Sequence, residues 1–109
     1  MSRTTRKVID GLSIPLSDSE TKVLEIPESV SKLLLYVSND DSSVLLSVGI
    51  SASPNGIDPY PLDTLVFDEV GKTGALYTLD TCPPYLIITG TNEDTENAIK
   101  ISVWWTLYA

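Results

Sequence analysis

Carboxylates are the residues of this chain with the most chemical potential. They cluster at Asp40-Asp41, between Asp58 and Asp63, at Asp68-Glu69 and at Glu93-Asp94-Glu96. Paired carboxylates can hydrolyse glycosides, but one acid must then have a raised pKa inside a cleft, usually lined by aromatics. No pattern in the chain supplies that cleft. Clustered oxygens at 39–41 or 92–96 could also hold a hard cation, but neither turn has the EF-hand spacing. The plainer reading is solvated turns. The chain has no histidine, which removes the commonest general base, a common zinc ligand and every Ser-His or Cys-His pair. Cys82 is the single cysteine, so it can form neither an internal disulfide nor a thiolate metal site. It reads as a small buried hydrophobe. Gly71 and Gly74 lack the spacing and the strand-to-helix context of a phosphate-cradling loop. The expectation is a protein that is not an enzyme and has no cofactor and no metal.

The other distinctive side chains are aromatic and basic. From Asn97 to Ala109 the chain alternates. Ile99, Ile101, Val103, Trp105 and Leu107 share one face, and Lys100, Ser102, Trp104, Thr106 and Tyr108 share the other. This is the pattern of a long half-buried strand. If Trp104, Tyr108, Tyr36 and Leu34 share one outward sheet face, they form an apolar patch of the kind found at subunit interfaces. Two other readings stay open. They could be core covered by another layer, or they could line a sugar-binding groove. Arg3, Arg6 and Lys7 place three of the seven basic residues in the first seven positions. From Val8 onward four basic residues face all 15 acids, a body charge of −11. An acidic body repels nucleic acid and anionic lipid, so neither is expected as a partner. The basic segment suits an acidic protein surface, a neighbouring copy's own acidic body, or simply a solvated terminus.

The elements that must position these residues are short strands. Lys7 to Leu16, broken by Gly11 and Pro15, reads as an edge strand or extended arm. Residues 1–16 are accordingly set apart from a single domain at 17–109. Thr21 to Ile26 is a short strand. Lys32 to Ser38 and Ser43 to Ile50 read as a hairpin around the turn Asn39 to Ser42. Ser51 to Asp63 reads as the major loop, stiffened by three prolines. Leu62 to Val70 fits either helix or strand. Ala75 to Leu79 and Tyr85 to Thr89 are strands, and Gly90 to Glu96 is a polar turn. About eight strands without a confident helix predict an all-β antiparallel sandwich, jelly-roll-like, with an Ig-like sandwich as the alternative. No apolar h-region is visible at the start, and no apolar run is long enough to span a bilayer. The lone cysteine fits assembly in a reducing cytoplasm.

The basic N-terminus, the hairpin-like Leu33-Leu34-Leu35-Tyr36-Val37-Ser38-Asn39 into Val44-Leu45-Leu46-Ser47-Val48, and the turn Ser53-Pro54-Asn55-Gly56 form a recurring texture. Pro84-Tyr85-Leu86-Ile87-Ile88 and Ile99-Lys100-Ile101-Ser102-Val103-Trp104 complete it. It resembles the small β-sandwich virion proteins of tailed bacteriophages, especially capsid cement or decoration proteins. The resemblance covers most of the chain. It implies a non-enzymatic homo-oligomer, often a trimer, that binds the major capsid protein on the outside of the virion and stabilises the capsid. Sandwiches of this texture also serve as carbohydrate-binding modules and as phage tail or adhesion components. On the cement reading, Trp104, Tyr108, Tyr36 and Leu34 pack the oligomer. Arg3, Arg6 and Lys7 contact a neighbour or the capsid.

Overall fold

The computed structural model describes residues 2–109. Eight strands account for its regular structure: β1 Arg3–Ile14, β2 Ser19–Glu25, β3 Lys32–Asn39, β4 Leu46–Ser53, β5 Tyr60–Phe67, β6 Gly74–Leu79, β7 Tyr85–Asn92 and β8 Ile99–Tyr108. They form two four-stranded antiparallel sheets, in the orders β1-β8-β3-β6 and β2-β7-β4-β5. This is the jelly-roll arrangement of a β-sandwich. Among the described residues no helix is long and apolar enough to cross a membrane.

Alternation decides what each strand buries. Leu33, Leu35 and Val37 of β3 and Ile99, Ile101, Val103 and Trp105 of β8 point inward from the first sheet. Leu46, Val48 and Ile50 of β4, Phe67 of β5 and Leu86 and Ile88 of β7 meet them from the second. Each fully buried aliphatic or aromatic side chain contributes roughly 1.5–3 kcal/mol of transfer free energy, and this core is what joins the layers. β8 lies between β1 and β3, so its inward face is almost completely covered.

Several local expectations are corrected and one open reading is settled. β3 and β4 are not a hairpin, because β3 pairs with β8 and β6 while β4 pairs with β7 and β5. The turn between them carries the chain from one sheet to the other. The Asn39 side chain shapes it, with Nδ2 donating to Ser43 O at 2.6 Å and Oδ1 accepting from Ser43 N at 3.2 Å. Ser42 adopts a left-handed φ of 54°, which turns the backbone further. A run of residues apolar on both faces is equally consistent with a strand flanked by two neighbours, and the polar turn does not say which sheet follows. Second, the long loop expected at 51–63 shrinks to the residues between Ser53 and Tyr60. The open stretch is strand as far as Phe67, within β5, whose edge position tolerates Pro61 beside a bulge, and Asp68 to Val70 lie beyond it.

β7 also runs on past Thr89 to Asn92, so Gly90 is a strand residue rather than part of a turn. Its missing side chain has a packing reason. A Cβ at Gly90 would collide with the Ile14 Cδ1 methyl and would stand 3.2 Å from Ile101 Cδ1. Glycine here lets the two layers close on each other.

The basic segment lies along β8 as β1, in register from Arg3 opposite Tyr108 to Ile14 opposite Ile99. Ser2 and Ala109 exchange backbone hydrogen bonds of 3.3 and 3.0 Å beyond it. Two irregularities, between Lys7 and Ile9 and between Ile9 and Leu12, let the edge strand bend over the core. Gly11 has a φ of 60°, and its N–H donates to Ser102 Oγ at 3.0 Å.

Candidate interaction face

The outward face of the β1-β8-β3-β6 sheet collects the aromatic residues. Register places Lys7, Trp104, Tyr36 and Leu76 in one row across all four strands. The next row holds Thr5, Thr106, Leu34 and Thr78, and a further row holds Arg3, Tyr108 and Lys32. Thus Trp104, Tyr108, Tyr36 and Leu34 do share one outward face, and the opposite sheet does not cover them. Trp104 is 42% exposed, Tyr36 36% and Leu76 63%. Leu34 and Tyr108 are half-buried among their neighbours.

Side-chain contacts tie this face together. Thr5 and Thr106 share a hydroxyl hydrogen bond of 2.9 Å. Ser102 donates to Asp40 Oδ2 at 2.6 Å. The Lys7 ammonium stands 5.4 Å from the centre of the Trp104 ring, and the Lys32 ammonium 5.8 Å from that of Tyr108. At such distances the ring quadrupole attracts the cation, worth about 0.5–1 kcal/mol at an exposed site. Lys7 also pairs with Asp10 at 2.8 Å. Trp104, Tyr36 and Leu76 border a shallow, open groove of about 510 Å³.

Arg3, Arg6 and Lys7 are all exposed on β1. Arg3 and Lys7 flank the aromatic row, whereas Arg6, opposite Trp105, belongs to the other side of the strand. Leu76 is the face residue that sequence reasoning missed. The alternation of β6 was visible, but nothing in it showed that β6 pairs with β3.

The acidic clusters act in turns. Asp40 accepts hydrogen bonds from the Ser38 and Ser102 hydroxyls, and Asp41 Oδ2 accepts from Lys100 N at 2.7 Å. Asp94 Oδ1 accepts from the backbone N–H groups of Glu96 and Asn97 at 2.8 and 3.2 Å. The Glu96 hydrogen bond is the main cause that lowers the Asp94 pKa below the ordinary carboxylate value. Asp58 Oδ2 accepts from Asn55 Nδ2 at 2.7 Å. Among the described residues no three His, Cys, Asp or Glu side chains gather into a metal-binding group. Cys82 is half-buried against the core, and desolvation raises the pKa of its thiol.

No protein-family model matches the chain, and no curated protein matches it. Solved structures do share the fold. The PBSX exported protein XepA superposes with a TM-score of 0.63 at 11% identity, over 97% of this chain and 37% of XepA. The chain therefore spans little more than a third of that protein. A subunit of the Bacillus endospore appendages, described as a novel family of disulfide-linked pili, superposes with a TM-score of 0.63 at 11% identity. That match covers 99% of this chain and 88% of the pilus chain. At this identity the likeness is one of fold.

Proposed function

We propose that this chain is a non-enzymatic structural protein of a phage-related or extracellular assembly, and specifically a capsid cement protein. On this reading it sits on the outer capsid surface as a homo-oligomer, contacts the major capsid protein and stabilises the shell. The observation that carries the proposal is the outward row Lys7, Trp104, Tyr36 and Leu76, an exposed apolar surface with a cationic border. Such a surface suits protein contact better than turnover of a small substrate, which favours an enclosed pocket. The fold shared with a phage exported protein and with a pilus subunit supports a structural role. Arg3 and Lys7 then add charge at the rim of the contact.

Immunogold electron microscopy of particles released by cells that encode the chain tests this reading. Label on capsid shells is the expected result. Label confined to tails or filaments would move the protein to another structural position, and label on no particle would overturn the virion role. A second reading, a glycan-binding module, draws on the paired Trp104 and Tyr36 beside the open groove. It requires tryptophan fluorescence to respond to added glycans.

A further inference from the structure

Charge on this molecule is segregated by surface. The outward side of the β1-β8-β3-β6 strands carries Arg3, Lys7, Lys32 and Lys100 and, among the described residues, one strand carboxylate, Asp10. These cations are four of the seven basic residues of a chain whose net charge is −8. Asp10 lies in a bulge and is paired with Lys7, and Asp40 and Asp41 close one end with hydrogen bonds already made.

A second surface has the complementary character. β5 is the edge strand of the other sheet. Along it and its flanking loops, Asp58, Asp63, Asp68 and Glu69 are exposed, against one cation, Lys72, whose Nζ donates to Val66 O of β5 at 2.9 Å. Large apolar side chains stand among these acids, with Ile57 78% exposed, Tyr60 62% and Val70 96%. Acids interspersed with apolar groups match a face of cations around aromatics.

We infer that the cationic aromatic face of one copy docks against the acidic β5 edge of the next. The inference deepens the proposed structural role and rests on it. A symmetric face-to-face dimer would bring four cations against four, which like-charge repulsion disfavours. Face and edge belong to different sheets, so one copy can engage both at once. The contact is therefore head-to-tail, and its repetition closes a ring or extends a filament.

Light scattering after size exclusion, in buffer of about 50 mM salt where surface charges are weakly screened, tests the pairing. The unmodified protein should run at a multiple of its 11.9 kDa monomer mass. Lys7→Glu with Lys32→Glu spoils the face, and Asp63→Lys with Glu69→Lys spoils the edge. Each double variant alone should be monomeric, and circular dichroism should show a folded protein with a cooperative melting transition. An equimolar mixture keeps one intact face and one intact edge, and should give a one-to-one dimer of twice the monomer mass. Should the charge variants fold poorly, Trp104→Ala takes the place of the face variant. A monomeric parent at high concentration, an edge variant that keeps the parent's mass, or a mixture that stays monomeric would each overturn the inference. Particle labelling by a strictly monomeric protein would leave the virion role standing. Self-association without labelling would leave the head-to-tail contact standing.

Discussion

Tyr36 and Trp104 lie directly opposite each other on the antiparallel strands β3 and β8, and both rings reach solvent. Residues paired this way on one face are the units of sheet stabilisation, and an aromatic pair would ordinarily be placed inward. Here the inward positions on either side are already filled by Leu35, Val37, Val103 and Trp105. The sandwich has its core without the outward pair, so the pair is free to serve contact with another surface.

Trp104→Glu follows directly. With its ring partly in solvent, the residue contributes little to the core, and its loss removes the Lys7 contact worth about 0.5–1 kcal/mol. The variant should fold, with a melting temperature only a few degrees below the parent, and should be monomeric by light scattering. An unfolded variant would make Trp104 a core residue and remove the interface from the functional reading.

Gly90→Ala should be far more damaging, although it adds a single methyl. The new Cβ would meet Ile14 Cδ1 and Ile101 Cδ1 in the contact between the layers. Overpacking of this kind costs about 1–3 kcal/mol. Urea unfolding should show a lower midpoint. Trimming Ile14 to valine in the same chain should recover part of the loss, because it removes the clashing methyl.

Asn92→Ala should cost about 2–3 kcal/mol, the scale of several hydrogen bonds lost with a buried acceptor left bare. Asn92 is 1% exposed, and its Nδ2 donates to Ile14 O at 3.1 Å and Asn97 O at 2.9 Å. Its Oδ1 accepts from Asp94 N at 2.8 Å. The side chain thus ties the end of β1 to the turn before β8. Thermal unfolding measures the loss, and an unchanged midpoint would show that water satisfies these groups.

Burial by alternation was legible in the chain. The inward set of β8, the common face of Trp104 and Tyr108, and an eight-stranded sandwich follow from period-two patterning and turn chemistry, whereas whether another layer covers Trp104 and Tyr36 does not. Pairing across the layers was not legible. Among the described residues β4 and β5 are the only consecutive strands that hydrogen-bond to each other, so nearly every turn crosses between sheets. Asn39 and Asn92 read as solvent-facing turn residues, and only the crossing chain buries them. Leu76 joined the outward face only once β6 was seen to pair with β3. The acidic character of the β5 edge was obscured for a similar reason, since Leu62 to Val70 fits a helix as well as a strand.

Cys82 should react slowly with a thiol reagent at neutral pH. Desolvation raises its pKa, so little of the nucleophilic thiolate forms. The thiol is half-buried near Ile26 and Pro84, which also limits access. Mild denaturant should therefore speed modification by much more than it speeds that of a free thiol, because opening the pocket removes both restraints. Rapid reaction in the folded protein would mean that this corner opens readily.

Acid should loosen the turn between β7 and β8. The folded pKa of Asp94 is lowered, first by the Glu96 backbone N–H and further by that of Asn97. A depressed carboxylate pKa means stability that is present above the ordinary aspartate range and is lost as pH falls through the lowered folded value. Asp94 is exposed, so solvent screens the effect and it should be small. Amide exchange at Glu96 and Asn97 is the sensitive readout. After correction for the intrinsic pH dependence, protection there should fall with acid in the parent. Asp94→Asn retains an acceptor oxygen but has no titrating proton, so its protection should be lower at neutral pH and flat across the same range. Equal acid sensitivity in both proteins would assign the loosening to a different carboxylate.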